Sequence, residues 1–209
     1  MSEPLSEPLI LGVIAAVAAL LGSLVGASIP TTLSWWIHYQ QRESDIGYLA
    51  VTVGAILDRY ISGCIDVMYD DGMPDADGET VPRVSSPKLE LTALNVNWRS
   101  IPVTLLDRIF AIPNAQLLAQ DRLAWEAEFS DYPILVRQIE YGKLAEKTLN
   151  VVNALRKHAL LPTSPEGRLD YSGMIEQHLP KLIKRQHEIE QQQWTPIFQQ
   201  DEAAPEDGS

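Results

Sequence analysis

The chain has 209 residues, 45% of them hydrophobic, with a formal net charge of -12 and a single cysteine. That length allows one or two domains. The acidic balance excludes a nucleic-acid surface and a polybasic contact with an anionic leaflet, and the lone Cys64 excludes an internal disulfide or a cysteine-based zinc site.

Residues 1–8, MSEPLSEP, form a short acidic flank without Lys or Arg, unlike the basic start of a secretory signal. Residues 9–29 follow, twenty-one positions without a charged side chain, eleven of them Leu, Ile or Val. At about 1.5 Å per residue this stretch is roughly 31 Å long as a helix, close to the hydrocarbon thickness of a bilayer. The sequence therefore predicts a transmembrane helix over 9–30. Within it Gly12, Ala15, Ala19, Gly22 and Gly26 recur three and four apart, a stripe of small residues on which a second helix can pack closely. Trp35, Trp36 and Tyr39 fall where the chain would cross the headgroup layer, a zone that amphipathic rings favour. The first basic side chain after the span is Arg42, so the positive-inside rule puts the larger part of the chain in the cytoplasm, under the plasma (inner) membrane.

Residues 31–69 are expected as an interfacial and stalk helix, with Ile46, Leu49, Val53, Ile56, Tyr60, Cys64 and Val67 along one side. A second span over 46–57 is too short, and Asp58 and Arg59 close it. Residues 70–97 are expected as a loop or linker, because 70–87 is dense in Asp, Gly, Pro and Ser. A calcium loop centred on Gly78 fails, since Met73 and Val84 would occupy positions that require carboxylates. Lys88 to Asn97 alternates weakly and is read as an extended or helical-turn connector.

Residues 98–198 are predicted as an α-helical bundle. Ser100 and Pro102 mark a helix start, with Leu105, Leu106, Ile109 and Phe110 on its buried side and Pro113 ending it. A second helix over 114–129 would bury Leu118, Trp125 and Phe129. Pro133 breaks the chain, Asp131 is a candidate cap, and a helix from Ile134 to Leu161 carries the seam Tyr141, Leu144, Thr148, Val151, Leu155 and Ala159, widened by Leu149 and Val152, opposite Lys143, Glu146, Lys147, Asn150 and Lys157. Residues 162–168 form a turn. A last helix starts at Asp170 or Ser172, runs to about Gln193 and bends at Pro180. Residues 199–209 read as a disordered acidic tail.

For chemistry the sequence offers little. His38, His158, His178 and His187 are far apart and match no metal pattern, and no nucleophile elbow, phosphate loop or dinucleotide glycine motif occurs. The basic residues His178, Lys181, Lys184, Arg185 and His187 are bracketed by Glu176, Glu188 and Glu190 and read as a solvated face. Trp194, Pro196 and Phe198 could form a short partner-binding motif or dock on the bundle. No cofactor or metal is implied. The sequence thus predicts an all-α protein: one N-terminal transmembrane helix, a long stalk helix and a helical bundle that acts as an anchored interaction or scaffold protein with no evident catalytic activity. Its expected partners are the lipid bilayer and either another protein or a second copy meeting it through helices. The alternatives are a membrane-tethered enzyme or ligand-binding domain with a dispersed site, and an envelope- or lysis-associated protein of opposite orientation.

Overall fold

In the computed structural model the protein is mostly helical. The structure describes residues 7–91, 93–163 and 169–200. For most positions before Gln41, and for 193–200, it describes the helix backbone alone. The elements are α1 (Glu7–Met68), β1 (Met73–Pro74), β2 (Thr80–Val81), a 3-10 turn (Trp98–Ser100), α2 (Val103–Phe129), α3 (Pro133–His158) and α4 (Tyr171–Gln200). The chain divides into two units, Met1–Asp45 and Ile46–Ser209.

The predicted span and stalk are one unbroken helix, so Pro30 lies inside α1 and no boundary separates residues 9–30 from 31–69. The segment Gln41–Met68 is long and apolar enough to cross a membrane, and half of its most apolar window is buried inside the protein. That apolarity has a use in packing. Leu49, Val53, Leu57, Ile61 and Met68 are all fully buried, and they join Ile109 and Ile112 of α2 with Ile139, Tyr141 and Leu155 of α3 in one core. The second half of the expected stalk is thus a core helix of the second unit. The seam of α1 falls where the 3.6-residue period puts it: Leu49, Val53, Tyr60, Cys64 and Val67 are buried, and Ile46 and Ile56 half-buried.

α3 matches its predicted pattern closely. Tyr141, Leu144, Thr148, Leu149, Val151, Val152 and Leu155 are buried, while Lys143, Glu146, Lys147, Asn150 and Lys157 are exposed. Gly142 marks its closest approach to other helices, since an added Cβ would lie 2.8 Å from Leu179 Cδ1 of α4 and 3.1 Å from Met68 Sδ of α1. The break before it is made by Pro133 at the first helical turn, and the N-cap residue is Tyr132, whose side chain makes no cap bond.

α2 departs from expectation. It is one helix of 27 residues that runs through Pro113 instead of ending there. An internal proline removes one hydrogen bond and costs about 3 kcal/mol. Continuous packing of Leu105, Ile109 and Ile112 on one side of it, and of Gln116 and Ala119 on the other, offsets that cost. Joining the two halves fixes the register. The inward row includes Ile112, Gln116 and Ala119, so Leu118, Trp125 and Phe129, expected inside, face outward at 71%, 59% and 63% exposure. The start also differs: Pro102 is the N-cap without a side-chain bond, and the buried Ser100 hydroxyl donates to the Asn97 carbonyl 2.7 Å away.

α4 begins as predicted, with the Asp170 carboxylate accepting the Gly173 N–H at 3.0 Å. It continues past Pro180 and Gln193 to Gln200. Residues 164–168 of the predicted turn and 201–209 of the predicted tail lie outside the described residues.

Candidate functional site

The segment 70–97, expected as a loop or linker, is tied to the bundle at several points, among them a buried carboxylate and the Pro87 carbonyl, which accepts from Gln116 of α2 at 3.2 Å. α1 ends as the Tyr69 and Asp70 N–H groups reach back to the Ile65 and Val67 carbonyls. Gly72, at φ +74°, then turns the chain into the two-stranded ladder in which Met73 pairs with Val81 and Pro74 with Thr80. A Cβ at position 72 would come within 2.6 Å of Thr80 Cγ2 and 3.0 Å of the Val81 carbonyl oxygen, so only glycine fits. At the tip the Asp75 carboxylate accepts the Asp77 and Glu79 N–H groups at 2.9 Å each, which makes the Asp-rich stretch a hairpin turn.

Asp70 is buried, and its carboxylate accepts the N–H groups of Gly72, Arg83 and Val84 at 3.1, 3.0 and 2.9 Å. Its fourth partner is Arg137 of α3, at 3.1 Å. Burial works to raise this carboxyl, but the three backbone donors and the guanidinium outweigh it and hold the group below its ordinary value. Arg137 also donates to the Val84 carbonyl at 2.6 Å and lies 5.7 Å from the centre of the Tyr141 ring. Beside it Gln138 donates to the Asp70 carbonyl and to the Asp71 carboxylate. Leu89 and Leu91 follow and are buried in the core.

A groove of about 680 Å³ opens at this end of the bundle, lined by Asp71, Glu79 and Thr80 of the hairpin region, by 130–135 and Gln138 around the start of α3, and by Arg185 and Ile189 of α4. Tyr132 lies in it with its hydroxyl pKa raised, by burial first and then by the negative field of Glu190, Glu126 and Asp131. The buried polar group in its floor, Gln138, already serves Asp70 and Asp71. Among the described residues no group of three His, Cys, Asp or Glu side chains is placed to hold a metal.

The second feature is the outward face of α2. Val103, Phe110, Leu117, Leu118, Trp125 and Phe129 are all exposed. Rings meet along its edges: Phe110 lies 5.1 Å from Trp98 and Trp125 5.1 Å from Phe129, centre to centre. Arg122 bridges α2 to Glu140 of α3 at 2.9 Å, and Glu140 also accepts from Lys143 at 3.0 Å.

The residues singled out from sequence are scattered. Gly12 and Ala19 are exposed on α1, while the side chains of Ala15, Gly22, Gly26, Trp35 and Trp36 lie outside the described residues. Tyr39 is exposed, and a hydrogen bond to Glu43 raises its pKa. Trp194, Pro196 and Phe198 fall within α4, and their side chains also lie outside the described residues. His178 stacks on Tyr69 with ring centres 4.1 Å apart, and burial lowers its pKa. Cys64 is fully buried beside Tyr60, and burial pushes its thiol up to about 12. The Tyr60 hydroxyl abuts the Cys64 sulfur without a well-formed hydrogen bond, so the pair packs as core.

No family model, curated protein or solved structure matches the chain. Any functional reading therefore comes from its own surface.

Proposed function

We propose that the protein is a membrane-anchored helical interaction module: residues 9–29 of α1 span a bilayer, and the unit from Ile46 onward presents a helix face to a protein partner on the cytoplasmic side. The observation that carries the interaction reading is the outward face of α2, with Leu118, Trp125 and Phe129 each more than half exposed on a helix whose other side is packed in the core. Such a face has a solvation cost that a monomer gains nothing by keeping, and contiguous exposed apolar strips mark contact sites. The anchor reading is supported by twenty-one uncharged residues lying within one continuous helix. Half of the most apolar window after Gln41 is buried in the core, which accounts for that stretch without a membrane.

Fractionation tests the anchor. After alkaline washing of cell membranes, the full-length chain is expected in the pellet and is released only by detergent. A monodisperse full-length product in the supernatant without detergent defeats the anchor. The interaction reading is tested on the same chain with Leu118→Gln and Trp125→Gln. Melting temperature should hold while association with whatever assembles on the wild type is lost.

A further inference from the structure

The outward face of α2 is ordered in rows seven residues apart. Val103, Phe110 and Leu117 make one apolar row, and Thr104, Ala111, Leu118 and Trp125 make another. Between them runs a third row, Asp107, Asn114, Asp121 and Glu128, every member exposed. Pro113 falls outside all three. A seven-residue repeat drifts only about 20° per heptad on a straight helix, so the three rows stay together as one strip along the outward side, long enough to take a partner helix. The six large apolar side chains along the face, Phe129 included, leave on the order of 600 Å² uncovered, divided between two strips on either side of the polar row.

Resting on the reading of this face as an interaction surface, we propose that its occupant is a helix from another protein bearing Lys or Arg at seven-residue intervals between apolar residues. The central row decides the chemistry. Three of its four members are carboxylates, and a helix laid along the seam brings its own central row against them. Opposite charges on the partner favour it along that row, while like charges repel. A second copy of α2 would set acid against acid, and the chain's net charge of -12 adds long-range repulsion between copies. An anionic lipid surface is disfavoured for the same reason. The polar row also explains why the face stays soluble.

The test uses the full chain in nanodiscs of zwitterionic lipid and three labelled synthetic helices of 25 residues, with empty nanodiscs as the blank. One peptide carries Lys every seventh residue between Leu rows, one carries Glu there, and one has the first composition permuted to destroy the repeat. The Lys peptide should bind at least tenfold more tightly than either other by fluorescence anisotropy. Asp107→Asn with Asp121→Asn and Glu128→Gln should bring the Lys and Glu peptides within about twofold of each other. Leu118→Gln with Trp125→Gln should weaken the Lys peptide at least tenfold without moving the melting temperature. Equal binding of the permuted peptide overturns the proposal, since it shows only cations gathering on an acidic protein. Preference for the Glu peptide, or a dimer in sedimentation that Leu118→Gln dissolves, overturns the basic partner while keeping the face as an interaction surface. If the Leu118 and Trp125 substitutions alter neither binding nor assembly, both readings fall together.

Discussion

α2 and α3 are neighbours of nearly equal length, 27 and 26 residues, and they present opposite surfaces to water. α3 buries fourteen residues and covers the rest with Lys143, Glu146, Lys147 and Asn150. α2 buries five and leaves Leu117, Leu118, Trp125 and Phe129 outside. α3 is enclosed by α1, α2 and α4, so its sequence is fully explained by folding, with apolar residues inside and charge outside. α2 packs on one side only. Leu117, Leu118, Trp125 and Phe129 each stay more than half exposed, and packing within the described part of the chain does not account for them.

That contrast predicts where the molecule breaks. The largest effect belongs to α3 at Arg137. Replacing it with Met leaves the Asp70 carboxylate buried with no cation, and removing one partner of a buried pair costs about 3–5 kcal/mol. Urea denaturation should show a loss of that size, and limited proteolysis should then cut between 71 and 87. A loss under about 1 kcal/mol would mean that the loop is held by its backbone donors alone. Next comes a matched pair of truncations. Leu155→Ala in the α3 core should cost about 2–5 kcal/mol, and Leu118→Ala on α2 less than about 0.5 kcal/mol. Should Leu118→Ala destabilise the isolated chain as much as Leu155→Ala, the outer face of α2 is part of the fold and the comparison collapses.

Sequence periodicity showed α3 well because all of its neighbours demand one thing, an apolar seam. The same method misplaced α2 because two apolar faces share that helix. With the chain divided at Pro113, the 100° rule joins Leu118, Trp125 and Phe129 into an inner seam, and only the continuity of Leu105, Ile109 and Ile112 with Gln116 and Ala119 across the proline shows the true one. The knot at Asp70 was beyond reach for a different reason. Its partner Arg137 is 67 residues away, and turn-forming composition around Asp70 gave no hint that a buried cation would fix the loop. The heptad rows of α2 were present in the sequence, but they acquire meaning only once burial shows which rows face out.

A smaller effect separates the two halves of the Asp70 site by pH. Because the folded carboxyl is held below its ordinary value, its contribution to stability is fully present above the unfolded value of about 3.9 and is lost as pH falls through the folded one. The wild type should therefore lose stability below about pH 4 more steeply than Asp70→Asn, which has no proton to take up there. Parallel acid curves would show that other carboxylates carry the acid sensitivity.

The smallest change in stability, and the cleanest reading of how tightly the core encloses α1, comes from Cys64. The thiol is fully buried, and its pKa is pushed up to about 12, so at pH 8 almost no thiolate exists and reagent cannot reach what there is. Labelling by a water-soluble disulfide reagent should then proceed only through opening of the core, and its rate should rise in Leu155→Ala exponentially with the lost stability, about tenfold per 1.4 kcal/mol, while staying at the wild-type value in Leu118→Ala. This makes one native thiol a reporter on both helices. If labelling is fast in the wild type, the half of α1 that carries Cys64 is not enclosed as described, and the proposal of residues 9–29 as the membrane helix loses the support it draws from that enclosure.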